Sequence, residues 1–239
     1  MDPALFGEFM GTLVLVLLGN GTVANVVLKK TLGSNSGWNV ITTGYGLSVT
    51  MGVFTAIACG SAAAFINPAV TLAFAIGKSD FSKFAPYFAA QLLGALAGGI
   101  IVWLHFMPHW SETPDAGSKL ACFSTGPAIK NMAANFISEV IGTFMLAMLI
   151  ATIVKVAGPT AGLVPFLVGA AVWAIGSGLG GTTGFAINPA RDLGPRIAHA
   201  ILPIPGKGSS EFGYGLAVPV AGGLVGGALA GVFMMLAHL

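Results

Sequence analysis

The sequence predicts an all-α membrane protein in which six transmembrane helices and two re-entrant half-helices form an inverted internal repeat. Three observations lead to this fold class. They are an apolar composition, a set of apolar runs of two distinct lengths, and two motifs that each occur twice. Together they give the number of membrane passages and relate the two halves of the chain.

The composition is that of a chain surrounded by lipid. Of the 239 residues, 55% are hydrophobic and only 8% are charged, and the mean hydropathy is +0.88. Soluble domains are about 25% charged, so this chain has too little polar surface to face water. The net charge of +2 is too small to indicate nucleic acid or an acidic partner. The length fits a single membrane domain over residues 1–239.

The apolar runs predict six membrane passages. The first run ends at Leu28 and has no basic residue before it, unlike a cleavable signal peptide. Crossing a bilayer takes about 20 residues, and five more runs are long enough: 37–59, 84–107, 132–154, 161–181 and 212–237. Two further runs, 66–77 and 187–202, are too short and are expected to be re-entrant.

Two motifs recur and divide the chain into halves. E-x-x-G-T begins at Glu8 and again at Glu139, and the letters INPA stand at 66–69 and 187–190. A weaker echo joins "QLLGALAGG" to "PVAGGLVGG". We expect halves of about 1–107 and 132–239, joined by an irregular link over 108–131 to which we assign no chemistry. Each half has an odd number of spans, so the second is inverted, and such repeats place a central pathway at their interface.

The asparagine and proline of each INPA predict a helix start. Asn is a strong N-cap and Pro is favoured at the first helical position, so Asn67 and Asn188 should cap two short helices. Because the halves are inverted, these helices enter from opposite faces, and their N-termini, each carrying about half a positive charge, meet near the midplane. In a polar conduit they repel cations, while the two side-chain amides stay free to donate hydrogen bonds to a neutral guest.

With its paired NPA motifs, its E-x-x-G-T at the start of each half and its six spans, the chain resembles the major intrinsic protein family, the aquaporins and glycerol facilitators, along essentially its whole length. The resemblance implies a homotetramer in the plasma membrane, with one pore per subunit and cytoplasmic termini. The lysines, by contrast, are nearly balanced between the two sides and lean towards external termini. The resemblance implies that the pore centre consists of Asn67, Pro68, Ala69, Asn188, Pro189 and Ala190.

An arginine follows the second motif. An ionised Arg191 at membrane depth is expensive and is by default a functional candidate that faces water. The resemblance implies an aromatic/arginine selectivity filter, formed here by Tyr45, Gly176, Phe185 and Arg191. Gly176 is expected to leave room, and the two rings to form an apolar corner opposite the arginine. Tyr45 replaces the tryptophan common in glycerol facilitators, whereas Asp192 and Pro219 resemble the glycerol-conducting branch.

Loop backbone is expected to form the rest of the pore wall. By resemblance, the carbonyls that line it belong to Ala63, Ala64, Phe65, Gly184, Phe185 and Ala186. Phe65 replaces a histidine that many members have. Carbonyls face a pore only if the neighbouring N–H groups find partners elsewhere, so Glu8 and Glu139 are expected to accept them. A proton relay through these carboxylates is the competing idea, but no partner in the pathway is visible.

These features predict a passive channel for small uncharged solutes that excludes ions and protons. Glycerol, similar polyols and water are the expected cargo, with urea and undissociated acids such as lactic acid as further solutes; the sequence leaves the preferred one open. The alternative is an ion-coupled secondary transporter, which needs midplane carboxylates and would have only Glu8 and Glu139. We expect no enzyme, since no nucleophile–base pair is present, and no cofactor, metal site or nucleic-acid partner. The histidines and cysteines do not have the spacing of metal ligands; they are His105, His109, His199, His238, Cys59 and Cys122.

Overall fold

The computed structural model describes residues 2–157 and 162–239, and every regular element in those ranges is helical. In chain order the helices are α1 (Pro3–Val27), α2 (Trp38–Ala58), α3 (Pro68–Gly77), α4 (Phe84–His105), α5 (His109–Glu112), α6 (Ala116–Ala121), α7 (Met132–Val156), α8 (Val164–Leu179), α9 (Pro189–Ile201) and α10 (Phe212–Ala237). Helix α10 contains a π-helical turn over Leu216–Val220. The expectation of an all-α fold is confirmed.

Five helices within the described ranges are long and apolar enough to cross a membrane: α1, α2, α4, α7 and α10. The sixth predicted passage, 161–181, corresponds to α8, which has 16 residues and is therefore shorter than expected. Its predicted first residue lies outside the described ranges. The two predicted short helices are α3, with 10 residues, and α9, with 13.

Each short helix rests on the opposite half of the chain. Helix α3 packs mainly against α10, and α9 packs mainly against α4. Glycines allow this close approach: a Cβ atom on Gly231 would lie 2.7 Å from the Ala73 carbonyl oxygen, and one on Gly194 would lie 2.9 Å from the Leu92 carbonyl oxygen. Small residues at such contacts let helix backbones meet in lipid. Because each half packs its short helix against the other, the two halves form one packed unit.

Within each half, the long helices pack around the first one. Helix α1 contacts α2 and α4, α7 contacts α10 and α8, and α2 meets α8 across the boundary between the halves. Glycines on α4 let it approach α1 closely, because a Cβ atom on Gly98 would lie 2.8 Å from the Leu13 carbonyl oxygen. These contacts leave a central space between α1, α2, α7 and α8.

The link between the halves is more ordered than the sequence predicted, since it contains α5 and α6. Asp115 caps α6 by accepting a hydrogen bond from the Ser118 backbone N–H at 2.6 Å. Hydrogen bonds from the side chain and backbone of Ser118 lower the pKa of Asp115 below its ordinary value. Trp110 and Phe123 are buried in a cluster with residues of α1, α4 and α9. Burial of these rings holds the link against the helices.

Candidate functional site

A cavity of about 470 Å³ lies between the two halves in the described part of the chain. Most of its wall is apolar and comes from the long helices: Leu15, Val49, Val53, Leu146, Val168 and Val172. The two loops that precede α3 and α9 also reach it, and with them come polar groups. The cavity therefore has an apolar wall with a polar stripe supplied by the repeated loops.

The two asparagines cap the short helices. Asn67 Oδ1 accepts a hydrogen bond from the Ala69 backbone N–H at 2.9 Å, and Asn188 Oδ1 accepts one from the Ala190 N–H at 3.1 Å. Both asparagines line the cavity. The N-terminal ends of α3 and α9 therefore point towards the same space from the two halves.

The same asparagines join the two loops to each other. Asn67 Nδ2 donates to the Ile187 carbonyl oxygen and Asn188 Nδ2 donates to the Ile66 carbonyl oxygen, each at 2.8 Å. The donation of these amides to a guest, which the sequence predicts, therefore stays a prediction that concerns one N–H of each. The carbonyls of the facing loop need donors, so one N–H of each amide is bonded within the protein. The other N–H of each amide is available to the cavity among the described residues.

Both loops have the same unusual backbone. Ala64 and Ile66 have φ values of 44° and 43°, and Phe185 and Ile187 have φ values of 40° and 42°. These are left-handed conformations that non-glycine residues seldom adopt, above all the β-branched isoleucine. Each costs of the order of 1–3 kcal/mol and persists only when its surroundings hold it. Its occurrence at matching positions indicates that both halves build the wall in the same way.

A buried carboxylate holds the first loop. Glu8 accepts hydrogen bonds from the backbone N–H groups of Phe65, at 2.9 Å, and Ile66, at 2.7 Å. It also accepts from Ser61 Oγ at 2.6 Å and from Gln91 Nε2 at 2.8 Å. These bonds turn the loop N–H groups away from the cavity. The structure thus brings Glu8 to the loop that it was expected to support.

The second loop has an equivalent support. Glu139 accepts hydrogen bonds from Thr183 Oγ1 at 2.6 Å and from the N–H groups of Ala186, at 3.0 Å, and Ile187, at 2.9 Å. Pro219 stands in the segment that echoes the one containing the glutamine bonded to the first carboxylate, and it has no side-chain donor. The second carboxylate therefore has fewer donors than the first.

The loop backbone reaches the cavity at most of the expected positions. Of the residues whose carbonyls were expected to form the wall, those that line the cavity are Ala63, Ala64, Phe65, Phe185 and Ala186. Gly184 lies beside the link, where a Cβ atom would come 3.3 Å from Thr125 Cβ. The role of these carbonyls as acceptors for a solute stays a prediction.

Arg191 lines the cavity, and only 5% of it is exposed. Its guanidinium carbon is 4.4 Å from the centroid of the Tyr45 ring, and Nη2 donates to the Tyr45 hydroxyl. Nη1 has no hydrogen-bond partner in the described residues. Because buried donors are nearly always paired, this N–H group beside a cavity is suited to a solute oxygen.

An aromatic corner lies beside the arginine. The Phe185 ring meets Tyr45 edge-on, with centroids 5.5 Å apart, and meets Trp38 edge-on at 5.7 Å. Trp38 was not predicted; its indole N–H donates to the Gly176 carbonyl oxygen at 3.2 Å. A Cβ atom on Gly176 would lie 2.9 Å from Phe185 Cζ. The space left by Gly176 is therefore filled by the phenyl ring, whereas the sequence suggested room for a solute.

Asp192 follows the arginine but is turned away from the cavity. It is fully buried, and its Oδ2 accepts hydrogen bonds from the Thr125 backbone N–H at 2.7 Å and from Thr125 Oγ1 at 2.8 Å. Its Oδ1 lies 2.8 Å from Nη2 of the buried Arg196. Arg196 was not predicted either, although the Asp-x-x-x-Arg spacing is typical of a helical ion pair. Asp192 therefore anchors α9 to the link, and its value as a marker of solute class stays a prediction.

The other mouth of the cavity is aromatic and basic. Phe65 stacks on Phe74, with ring centroids 5.0 Å apart and planes 29° from parallel. Lys78 lines this mouth, and its Nζ lies 5.8 Å from the centroid of the Phe74 ring. The phenyl ring at Phe65 replaces the histidine expected from the resemblance, so this end of the wall has an apolar face.

Comparisons with known proteins agree with this geometry. Residues 3–234 match the family model described as major intrinsic protein. The chain is 54% identical over 226 residues to glycerol uptake facilitator protein 3 of Lactiplantibacillus plantarum, covering 94% of this chain and 92% of that protein. It is also 42% identical over 240 residues to the D/L-lactic acid transporter of the same organism, with 98% and 97% covered.

A solved structure gives the same result in three dimensions. The aquaglyceroporin from Plasmodium falciparum superposes with a TM-score of 0.82 at 28% sequence identity, covering 98% of this chain and 95% of that one. Fold, repeated loops and sequence agree over almost the full length, and this chain belongs to the major intrinsic protein family.

Proposed function

We propose that this protein is a passive channel through which glycerol, similar small polyols and water cross the membrane, while ions and protons are excluded. It is an integral membrane protein of a family of channels and facilitators, and it is not an enzyme. Relatives named glycerol uptake facilitators support the solute class. The expected site is the filter of Tyr45, Phe185 and Arg191 together with the two capped loops.

The observation that carries this proposal is that a charged donor and two aromatic rings line the same part of the cavity. Arg191 Nη1 offers an unpartnered buried donor, and the adjoining rings of Tyr45 and Phe185 offer an apolar surface. A polyol has hydroxyl groups along a carbon chain, so it places its oxygens towards the arginine and its C–H groups against the rings. Water can accept the hydrogen bond from the arginine but has no C–H groups to pack against the rings.

Charge supports the exclusion of cations. The N-terminal ends of α3 and α9 each carry about half a positive charge, and both point at the cavity through Asn67 and Asn188. Arg191 adds a full charge to the same pathway. A cation must also lose its water in a largely apolar wall, which is expensive. A neutral solute is not repelled by these charges and loses less hydration free energy than an ion does.

The carboxylates support a passive channel over an ion-coupled transporter. Glu8 accepts hydrogen bonds from two backbone N–H groups and two side chains, and Glu139 accepts from two N–H groups and one side chain. Protonation or ion binding at either would break bonds that hold a strained loop. These groups are therefore suited to support and unsuited to a binding cycle.

Undissociated lactic acid is a second solute that one observation favours, namely the relative named D/L-lactic acid transporter. The acid offers oxygens to Arg191 and a methyl group to the rings. Its anion would lose hydration in the apolar wall, so the neutral form is the expected one. Uptake should then rise as the pH falls towards the pKa of the acid.

Assembly and placement follow the resemblance. We expect a homotetramer in the plasma membrane with cytoplasmic termini. The outward faces of α2 and α8 are apolar, with exposed side chains at Met51, Phe54, Phe166 and Trp173, as a lipid or subunit contact requires. Mass determination in detergent and labelling of a terminal tag in right-side-out vesicles test the two expectations.

The test of function is stopped-flow light scattering of proteoliposomes under gradients of water, glycerol and lactic acid at two pH values. A channel gives glycerol flux that does not saturate and ignores ion gradients, well above that of protein-free vesicles. Saturation or dependence on an ion gradient would instead indicate a transporter. If water passes and glycerol does not, the filter is narrower than proposed; if only the acid crosses, the polyol assignment is wrong.

A further inference from the structure

We propose that Asn20 is a positioning residue of the filter, which holds the Arg191 guanidinium in place through the hydroxyl group of Tyr45 and thereby sets the ratio of glycerol to water permeability. This inference rests on the proposed function. It concerns a residue of α1 that the sequence analysis did not select.

The hydrogen bonds run in one direction along a chain of four groups. Asn20 Nδ2 donates to the Phe123 carbonyl oxygen at 2.8 Å. Because a carbonyl only accepts, this bond determines which way the amide is turned, and Oδ1 faces Tyr45. Oδ1 in turn only accepts, so the Tyr45 hydroxyl gives its proton to Asn20. The hydroxyl oxygen is then an acceptor, and Arg191 Nη2 donates to it.

Burial makes this chain effective. Asn20 is 1% exposed and Tyr45 is 3% exposed, so water does not compete for their groups. A buried amide or hydroxyl without a partner is costly, and hydrogen bonds in such surroundings are stronger than in water. Neither group has an inexpensive alternative partner, which keeps the arginine in one position.

The chain also determines what a solute meets. Because its proton is given to Asn20, the Tyr45 hydroxyl has no donor left for a solute, and the ring serves as an apolar wall. Arg191 Nη2 donates to the tyrosine hydroxyl, whereas Nη1 has no partner in the described residues and is available to a solute in the cavity. A phenol hydroxyl is able to make a polar contact. The structure directs that contact into the protein.

The repeat indicates that packing alone does not require an asparagine at this position. When the two E-x-x-G-T motifs are aligned, the matching position of the second half is Ala151, which is 4% exposed. An apolar residue therefore meets the packing need at the equivalent place. Next to Asn20, a Cβ atom on Gly19 would lie 2.5 Å from Tyr45 Cε1. The pair Gly19–Asn20 is thus shaped to the tyrosine: one residue makes room for the ring and the other binds its hydroxyl.

The test measures glycerol and water permeability of Asn20→Ala, Tyr45→Phe and the double variant in proteoliposomes. Asn20→Ala removes the acceptor of the Tyr45 hydroxyl, so Arg191 is held less firmly. The ratio of glycerol to water permeability should then change by about three- to tenfold, which corresponds to the free energy of one net hydrogen bond. In the Tyr45→Phe background the hydroxyl is already absent. Adding Asn20→Ala should then change the ratio by less than about twofold, because residues that act through one contact are not additive.

A matched control separates positioning from stability. Asn135 is 5% exposed, its Nδ2 donates to the Ile129 carbonyl oxygen at 3.1 Å, and neither residue is among those that line the cavity. Asn135→Ala therefore removes a comparable bond to a loop carbonyl. It should lower the melting temperature in detergent and leave the permeability ratio unchanged.

The outcomes are distinct. If Asn20→Ala changes the ratio equally with and without the Tyr45 hydroxyl, or resembles Asn135→Ala in changing only stability, the positioning role is refuted. If the unchanged protein carries no glycerol at all, the proposed function fails. The water permeabilities of Asn20→Ala, Tyr45→Phe and the double variant then test the inference by themselves. Equal effects of Asn20→Ala on water permeability with and without the Tyr45 hydroxyl would overturn it.

Discussion

Replacing Gly176 with alanine should lower glycerol permeability about tenfold while water permeability falls by no more than about twofold. The added Cβ atom would lie 2.9 Å from Phe185 Cζ and 3.0 Å from Cε2. Carbon atoms prefer a separation of about 3.5–4.0 Å, so the ring must move by roughly 0.5–1 Å. Trp38 flanks the ring on one side, which leaves the cavity as the direction of movement.

The size of the effect follows from overpacking. Adding a methyl group to a filled site typically costs about 1–3 kcal/mol, and a factor of ten in permeability corresponds to about 1.4 kcal/mol. A ring displaced into the narrow part of the pathway obstructs a polyol more than it obstructs water. Replacing Gly176 with histidine and Phe185 with threonine together extends the same reasoning and should reduce glycerol flux while water flux survives.

The assay is stopped-flow light scattering of proteoliposomes with matched amounts of protein. Gly178→Ala is the control, because a Cβ atom on Gly178, also in α8, meets no atom within 4 Å in the described residues. In a Phe185→Thr background the alanine at 176 should have little further effect. Equal loss of water and glycerol, or the same loss without the Phe185 ring, would refute the steric account.

Three further predictions concern stability. Glu139→Gln removes an acceptor and leaves a loop donor unpaired, at a cost of about 1–3 kcal/mol, so the melting temperature in detergent should fall; no change would contradict its supporting role. Lys207 Nζ donates to three carbonyl oxygens at the C-terminal end of α9, so Lys207→Met should speed hydrogen exchange of that last turn, and unaltered exchange would argue against the cap. Lys30 and Glu112 lie 2.5 Å apart with side chains 71% and 45% exposed; such pairs contribute about 0–1 kcal/mol, and Lys30→Ala should leave the melting temperature unchanged, in contrast to Glu139→Gln.

The sequence was most informative where the determining chemistry is local. The cap formed by Asn67 depends on residues within one helical turn, and the apolar runs depend on composition alone, so both could be predicted. The pairing of Glu8 with loop N–H groups also followed from a local need, since a buried carboxylate in an apolar run must find donors. The repeat then extended each local inference to the second half of the chain.

Other features depend on contacts between distant residues. Whether Gly176 leaves a void or a seat for a ring depends on the rotamer of Phe185, which no local pattern determines. In the sequence, Asn20 is a polar residue within an apolar helix. Its role depends on contacts with Tyr45 and with a carbonyl of the link, which are distant in the chain. The link itself was underestimated because its buried rings, rather than its Gly and Pro content, decide its order.

The bond between the two loops has a consequence for how the protein is made. The partner of the Asn67 amide is a carbonyl 120 residues further along the chain, and α3 rests on α10, which belongs to the second half. A nascent chain that has inserted only its first half therefore lacks both the seat of α3 and the facing half of the wall. The wall of the pathway is complete only when both halves are in place, so the first half alone does not form the pore.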